Sequence, residues 1–448
     1  MDYQQALGYL TSFADFERTG RFTARPDLAP MRDLLEALGA PQRGPLSVHI
    51  AGSKGKGSTA AMLASILREA ELRTGLYTSP HLHTFCERVR VDGEPISREA
   101  FIRHVEALVP AVEEVRARYP ERQLVTFDLL TALAFRAFRE EGVDVQVIET
   151  GLGGRLDPSN VLEEKAVCII TPISLEHTAI LGDTLAKIAR EKAGIITPAA
   201  VVVMGLQRAS AAAVIRQTCA ERGASLVEVA QACAMTRTGY SSEGQDFRLR
   251  TPGGTYDLHL PLLGRHQLEN AATAVLAAEA LARQGMELSA VAFRRGLEGV
   301  RWPGRLEIVK RRPLVVLDGA HNGESARRLR ETLKEDLGIG GAILVVGYSG
   351  DKDATALARE MEPVAARVIA TRSRSPRAAS PQEVAAAFAE QGIAASCEES
   401  VAAAMEAALA QAEAGDAICV FGSLFVAAEA REHLLGIVPD LLPAGQAP

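Results

Sequence analysis

Ser47-Val48-His49-Ile50-Ala51-Gly52-Ser53-Lys54-Gly55-Lys56-Gly57-Ser58 decides how the rest of the chain is read. A run of strand character ends at Gly52, three glycines follow within six residues, and Ser58 to Ala70 is a good helix former throughout. Strand, glycine turn and helix in that order make a phosphate cradle. The glycines let the backbone curl until successive N–H groups point at phosphate oxygens, at the positive end of a helix. Lys56 is placed to reach the terminal phosphates and Ser58 to ligate Mg²⁺, so Gly52, Ser53, Lys54, Gly55, Lys56, Gly57 and Ser58 are candidate nucleotide contacts. The spacing departs from the common GxxxxGK[ST] form, because the first glycine is closer and Gly57 separates Lys56 from Ser58. A solvated glycine turn with incidental lysines is the bland alternative.

Outward from this loop, short Val/Ile runs alternate with longer Ala/Leu-rich segments of helical period, the pattern of βαβ units around a parallel sheet. The runs are Leu46 to Ala51, Val143 to Glu149, Val167 to Thr171 and Ala200 to Met204. Between Met235 and Leu260 the texture turns polar, which suits antiparallel hairpins appended to the main sheet, and helical character returns from His266 to Ala282. Arg301-Trp302-Pro303-Gly304-Arg305 breaks that pattern. A second α/β series follows, with strands expected at Leu314 to Leu317, Ala342 to Val346, Arg367 to Ala370 and Ala417 to Phe421. Thr371 to Pro381 is expected as a surface loop and Val401 to Ala414 as a helix. Two domains result, 1–300 and 301–448.

The chain has 448 residues, 47% of them hydrophobic, enough for more than one core. With 49 basic against 56 acidic residues it lacks the basic surplus of a duplex binder, so nucleic acid is not an expected partner. Six cysteines without a CxxC pair read as reduced packing residues, and no apolar run is long enough for a membrane span. The expectation is a cytoplasmic protein acting as a monomer.

Glu149 ends a buried run, and a carboxylate at the carboxyl end of a core strand faces the ligand crevice of an open α/β sheet. Opposite Ser58 it supplies the hard oxygen that Mg²⁺ on phosphates wants; capping of the next turn is the alternative. His177, after Ile169 to Pro172, is by itself either a hydrogen-bonded loop histidine or a second cation ligand. Lys192, in a Glu-Lys pair on the helix Thr184 to Gly194, reads from spacing alone as a solvated surface feature.

The phosphate segment resembles the ATP loop of the Mur ligase superfamily, particularly the branch of folylpolyglutamate synthase and dihydrofolate synthase. The run Gly151-Leu152-Gly153-Gly154-Arg155-Leu156-Asp157 with Asn160 is similar to the signature that follows that branch's acidic strand. Gly264-Arg265-His266-Gln267-Leu268-Glu269-Asn270, Asp318-Gly319-Ala320-His321-Asn322 and Thr78-Ser79-Pro80-His81-Leu82 resemble further family segments in the expected order. Ser53-Lys54 stands where the branch carries Thr-Asn, and Glu176 where it carries Asp before His177.

The resemblance implies a P-loop parallel-sheet domain with a smaller Rossmann-like domain, and an ATP-dependent ligase joining L-glutamate to a folate or dihydropteroate carboxylate through an acyl phosphate. Two Mg²⁺ sites follow from it, drawing on Ser58, Glu149, His177 and a carbamylated Lys192, and a monovalent cation is left open. Asn270, Arg305 and Asp318 are implied as nucleotide contacts, and Lys56, Lys192, Arg305 and His321 as catalytic residues. Ser79, Pro80, His81, Gly154, Arg155, Asp157 and Ser423 are implied at the folate and glutamate subsites. Another Mur-type ligase acting on a different carboxylate, or a nucleotide-binding switch without catalysis, are the rival readings. The choice among first addition, chain extension or both is left open.

Overall fold

A computed structural model describes residues 1–15, 27–120 and 123–440. Eight strands form the first sheet: β1 (Leu46–Ala51), β2 (Thr74–Tyr77), β3 (Val89–Val91), β4 (Glu94–Pro95), β5 (Val145–Glu149), β6 (Val167–Ile170), β7 (Val201–Met204) and β8 (Ser225–Glu228). Their order is β4-β3-β2-β5-β1-β6-β7-β8. The sheet is parallel except at β3 and β4, which pair antiparallel at one edge. β1 sits between β5 and β6, with Ile50 beside Glu149 and Ala51 beside Ile170. The chain therefore leaves the sheet in opposite directions from this point, and the crevice above the carboxyl ends of β1 and β5 is where such folds bind ligands.

Both faces of this sheet are covered, which is why β6 and β7 read as unbroken apolar runs, while the polar residues inside β1 and β5 are buried with hydrogen-bond partners, His49 with Ser159 and Gln146 with Ser47. Val48, Ile50 and Val147 pack under the helices Lys56–Glu69 and Arg265–Ala282. Tyr77 and Ile148 pack on the other face against Leu130 and Phe135 of the helix Thr126–Glu140.

The hairpins expected as an appendage of the main sheet form a sheet of their own. β9 (Ala234–Ser241), β10 (Gly244–Thr251) and β11 (Gly254–Leu260) are antiparallel in the order β11-β10-β9. Their alternation serves packing: Phe247, Leu249, Leu258 and Leu260 face the same core as the helix Arg265–Ala282, while the intervening residues face outward.

The second lobe is built on β12 (Glu307–Arg311), β13 (Leu314–Leu317), β14 (Ala342–Val346), β15 (Ala365–Ala370), β16 (Ala395–Cys397) and β17 (Ala417–Phe421), in the order β12-β13-β17-β14-β15-β16. Only β12 is antiparallel to its neighbour. Residues alternate between two cores, Val316 and Leu344 to one face and Val315 and Val345 to the other.

All six cysteines are free, but they are not all packing residues: Cys397 is exposed on the short strand β16 and Cys233 is half-buried. Among the described residues no helix is long and apolar enough to cross a membrane.

Candidate active site between the two lobes

A cavity of about 610 Å³ lies over the carboxyl end of β1 and is closed on its far side by the second lobe. From the first lobe it takes Ser53 to Ser58, Ser79, Pro80, Glu149, Gly154, Arg155, Asp157, His177, Lys192 and Asn270; from the second, Arg305, Asp318 and His321. Residues far apart in sequence are thus brought around one space.

The glycine loop has the expected shape for stated reasons. At Gly52 a Cβ would lie 1.8 Å from Thr171 Oγ1, and at Gly55, which has φ of 82°, it would lie 2.3 Å from Asn270 Oδ1. A side chain at Gly57 would strike Trp302 at 2.9 Å. The loop is therefore pressed between β6, the helix carrying Asn270 and the link to the second lobe. Its first two amides are not part of the cradle: Ser53 N and Lys54 N both donate to Pro172 O, at 3.0 and 3.1 Å. The cradle is the first turn of the helix instead, ahead of the first intrahelical bond, which Thr59 N makes to Gly55 O.

Around this turn stand three lysines and two carboxylates. Lys56 Nζ is 3.8 Å from Glu149, and Glu176 receives Lys54 at 3.8 Å and Lys192 at 3.3 Å. Lys192 is fully buried rather than a solvated helix residue, and its Nζ donates to Gly52 O at 2.7 Å. Burial pulls its amine down to about 8, with Lys56 and Lys54 adding to the fall against the opposing pull of Glu176. Gly154 makes this approach possible, since a Cβ there would meet the carbonyls of Glu191 and Lys192 at 2.9 Å.

Glu149 is 4% exposed and accepts from Ser79 N at 3.4 Å. Hard oxygens at Glu149 and Ser58 on one cavity wall suit Mg²⁺ shared with phosphates. Among the described residues no three His, Cys, Asp or Glu side chains converge on a cation, so any such ion would depend on phosphate oxygens for the rest of its shell.

From the second lobe, Asp318 leaves the end of β13 and accepts from Leu306 N at 2.9 Å and Ala320 N at 2.8 Å, which pins the turn carrying Arg305. His321 donates from Nδ1 to Gly319 O at 2.9 Å. Burial, with Lys54 nearby, lowers its imidazole to about 3, so it faces the cavity neutral. Asn322 is the N-cap of the helix Gly323–Glu331, accepting from Ser325 N at 3.0 Å.

Three expected residues lie off the cavity wall. Gly52 is beneath the loop. His81 is held by Arg88 Nε at 2.9 Å and packs against Phe85, with ring centroids 4.3 Å apart and planes tilted by 46°. Ser423 caps the helix Leu424–Leu435. Arg155 reaches the wall but is held by Glu191 at 3.0 Å, and Asp157 spends its oxygens on Leu152 N and on Ser159.

Sequence reading missed Val125 and Phe127, the apolar wall beyond Asp157, because nothing in a buried helix start marks it as a ligand surface. It also missed Arg328 and Arg377. Arg328 lies on the helix Gly323–Glu331 that Asn322 caps, and no motif in the sequence marks it.

Residues 50–278 match the model of the Mur ligase middle domain, and residues 304–424 that of the Mur ligase glutamate ligase domain. A dihydrofolate synthase/folylpolyglutamate synthase of Mycobacterium tuberculosis is 38% identical over 381 residues, 82% of this chain and 78% of that protein. The chain belongs to the folylpolyglutamate synthase/dihydrofolate synthase family.

Within that family, the folylpolyglutamate synthase of Lacticaseibacillus casei is 33% identical over 97% of this chain and 99% of its own length. The solved structure of the M. tuberculosis folylpolyglutamate synthase complexed with ADP superposes with a TM-score of 0.90 at 34% identity, covering 98% of this chain and 100% of that one. The E. coli FolC complex with DHPP and ADP gives 0.85 at 30% identity, covering 97% and 98%.

Proposed function

We propose that this chain is an ATP-dependent ligase that joins the amine of L-glutamate to a folate-type carboxylate, on dihydropteroate, on an existing folate, or on both. The reading is carried by one observation: a single cavity holds the phosphate turn with Lys56 and Glu149 on one side and Arg305, Asp318 and His321 on the other, and extends to an apolar wall at Phe127. A nucleotide-binding switch has no need of that second set, and membership of this branch sets aside other Mur-type ligases.

A carboxylate is a poor electrophile, so activation comes first. A carboxylate oxygen of the acceptor attacks the γ-phosphorus of ATP, the bond to the bridging oxygen breaks, and ADP leaves an acyl phosphate behind. Lys56, the first-turn amides and Arg305 stabilise the charge that develops on the phosphoryl oxygens. Arg305 comes from the second lobe, so its contribution exists only when the lobes close, which also excludes water from the acyl phosphate. The glutamate amine then attacks the acyl carbon and phosphate is expelled.

Ser58 and Glu149 would hold Mg²⁺, which supplies charge neutralisation at the phosphates. His177 and Lys192, the latter as a carbamate, are our candidates for a second ion. The buried amine of Lys192 falls to about 8, which gives it the neutral fraction that addition to CO₂ requires. Asn270 and Asp318 would orient the nucleotide. Phe127 would receive the pterin, with Asp157 holding the turn from Leu152 to Ser159 behind it, and Ser79 and Pro80 would close over it. Arg377, 3.0 Å from Asp351 at the cavity edge, offers a cation to a glutamate carboxylate. We place the division of labour at 300/301 and infer a cytoplasmic monomer.

The test incubates the protein with ATP, Mg²⁺ and L-glutamate against dihydropteroate and tetrahydrofolate separately and weighs the products. A glutamate increment on either acceptor, with ADP formed, is expected and identifies the subtype; ATP turnover without an increment on either overturns the reading.

A further inference from the structure

Outside the cavity, a cluster of polar and charged groups joins the lobes, with His83 and Glu432 buried and Arg431 and Glu307 half-buried. His83, at the tip of the loop from Ser79 to Arg88, is 6% exposed. Arg431 Nη1, from the last helix, lies 3.0 Å from its Nε2, and Glu432 Oε1 lies 3.2 Å from its Nδ1. Arginine has no acceptor, so Arg431 donates to Nε2 and the ring proton sits on Nδ1, facing Glu432. His83 thus bridges two residues of the other lobe by geometry that fixes its tautomer.

The same Arg431 reaches Glu307 at 3.0 and 3.2 Å, and Glu307 Oε2 accepts from Gly304 N at 2.8 Å. Gly304 and Glu307 bracket Arg305. A Cβ on Gly304 would lie 3.3 Å from Leu82, the neighbour of His83, so the turn and the loop pack directly on one another. The other end of the loop carries Ser79, whose N–H donates to Glu149. A second tether runs alongside: Asp440 N donates to His83 O at 2.8 Å, and the buried Asp440 carboxylate accepts from Phe85 N at 2.9 Å and Tyr3 Oη at 2.6 Å. None of His83, Glu307 or Arg431 lines the cavity.

We propose that His83, Glu307 and Arg431 are positioning residues that form a latch between the lobes, setting the Arg305 turn in register with the Ser79 to Arg88 loop. A polar cluster of this kind contributes specificity of arrangement more than net stability: without His83, Glu432 would keep Arg374 at 2.5 Å and Arg431 would keep Glu307, but the link from those two residues to the loop would be lost. The inference rests on the ligase reading for its kinetic consequence, though not for the contact itself.

The test uses the full chain. In the ADP-bound protein, His83→Ala should speed amide exchange across residues 79–88 by roughly tenfold. It should lower kcat for glutamate addition by a similar factor while leaving ADP affinity unchanged. His83→Gln, which can accept from Arg431 and donate to Glu432, should restore most of both. In an Arg305→Ala background His83→Ala should cost little more, because both act through one group. Unchanged exchange in His83→Ala, or losses that multiply in the double variant, would overturn the latch. Should His83→Ala fail to fold, Glu307→Gln carries the same comparisons. If the parent chain adds no glutamate at all, the ligase reading fails and the exchange result alone decides the contact.

Discussion

Lys192 and Glu176 face one another at 3.3 Å beneath the phosphate loop, and the lysine also donates to the Gly52 carbonyl. Burial alone would raise the Glu176 carboxyl, but Lys192, Lys54, Lys56 and His177 together bring it down to about 2. A carboxyl depressed on folding contributes stability that is present above its unfolded value of 4.5 and is lost as pH falls through about 2. In CO₂-free buffer, where Lys192 is an ammonium, acid unfolding of the parent should therefore steepen across that window. Glu176→Gln should be less stable at neutral pH and show a shallower acid limb. Equal acid sensitivity in parent and variant, read by circular dichroism, would refute the assignment.

Carbamylation of Lys192 would exchange the cation facing Glu176 for an anion, an arrangement that favours a metal ion between them. In labelled bicarbonate a carbamate carbon signal should appear in the parent by carbon-13 NMR and vanish in Lys192→Arg. Activity in Lys192→Arg should fall by roughly two orders of magnitude. A parent without that signal, active in CO₂-free buffer, argues for a plain ammonium.

Gly55→Ala places a methyl 2.3 Å from Asn270 Oδ1 at a φ of 82°. The strain, about 1–3 kcal/mol, should appear as a raised Kd for ADP of roughly tenfold or more by calorimetry, with the acceptor site intact. Unaltered ADP affinity would mean that the loop adapts and that Asn270 does not press on it.

Much of this site was legible because covalent neighbours carry it. The strand, glycine turn and helix around Lys56 formed as read, and β1 runs from Leu46 to Ala51 as expected from the sequence. Glu149 stands at the end of β5 for the same reason. Contacts made through tertiary packing were not legible. The Pro172 carbonyl that takes Ser53 N and Lys54 N belongs to another strand's end, and Lys192 reads as surface until β1 and the Gly154 turn are folded against it. The separate sheet of β9 to β11 was hidden similarly, since period-two alternation fixes which face is buried but not what covers it.

Phe127 lies where a Cβ on Gly151 would touch its ring at 2.5 Å, and its ring centroid is 5.9 Å from that of Tyr77. Phe127→Ala should raise KM for the acceptor by roughly tenfold to a hundredfold while the KM for ATP holds, as expected for one lost ring contact. A matching rise in both constants would make Phe127 a support of the lobe rather than of the acceptor.

The central claim is that the acceptor carboxylate becomes an acyl phosphate before glutamate arrives. The most direct measurement supplies an acceptor whose carboxylate oxygens carry the heavy isotope and weighs the inorganic phosphate released. One labelled oxygen should be transferred to each phosphate formed together with an amide bond. Phosphate free of label, with the glutamate product still accumulating, would contradict it.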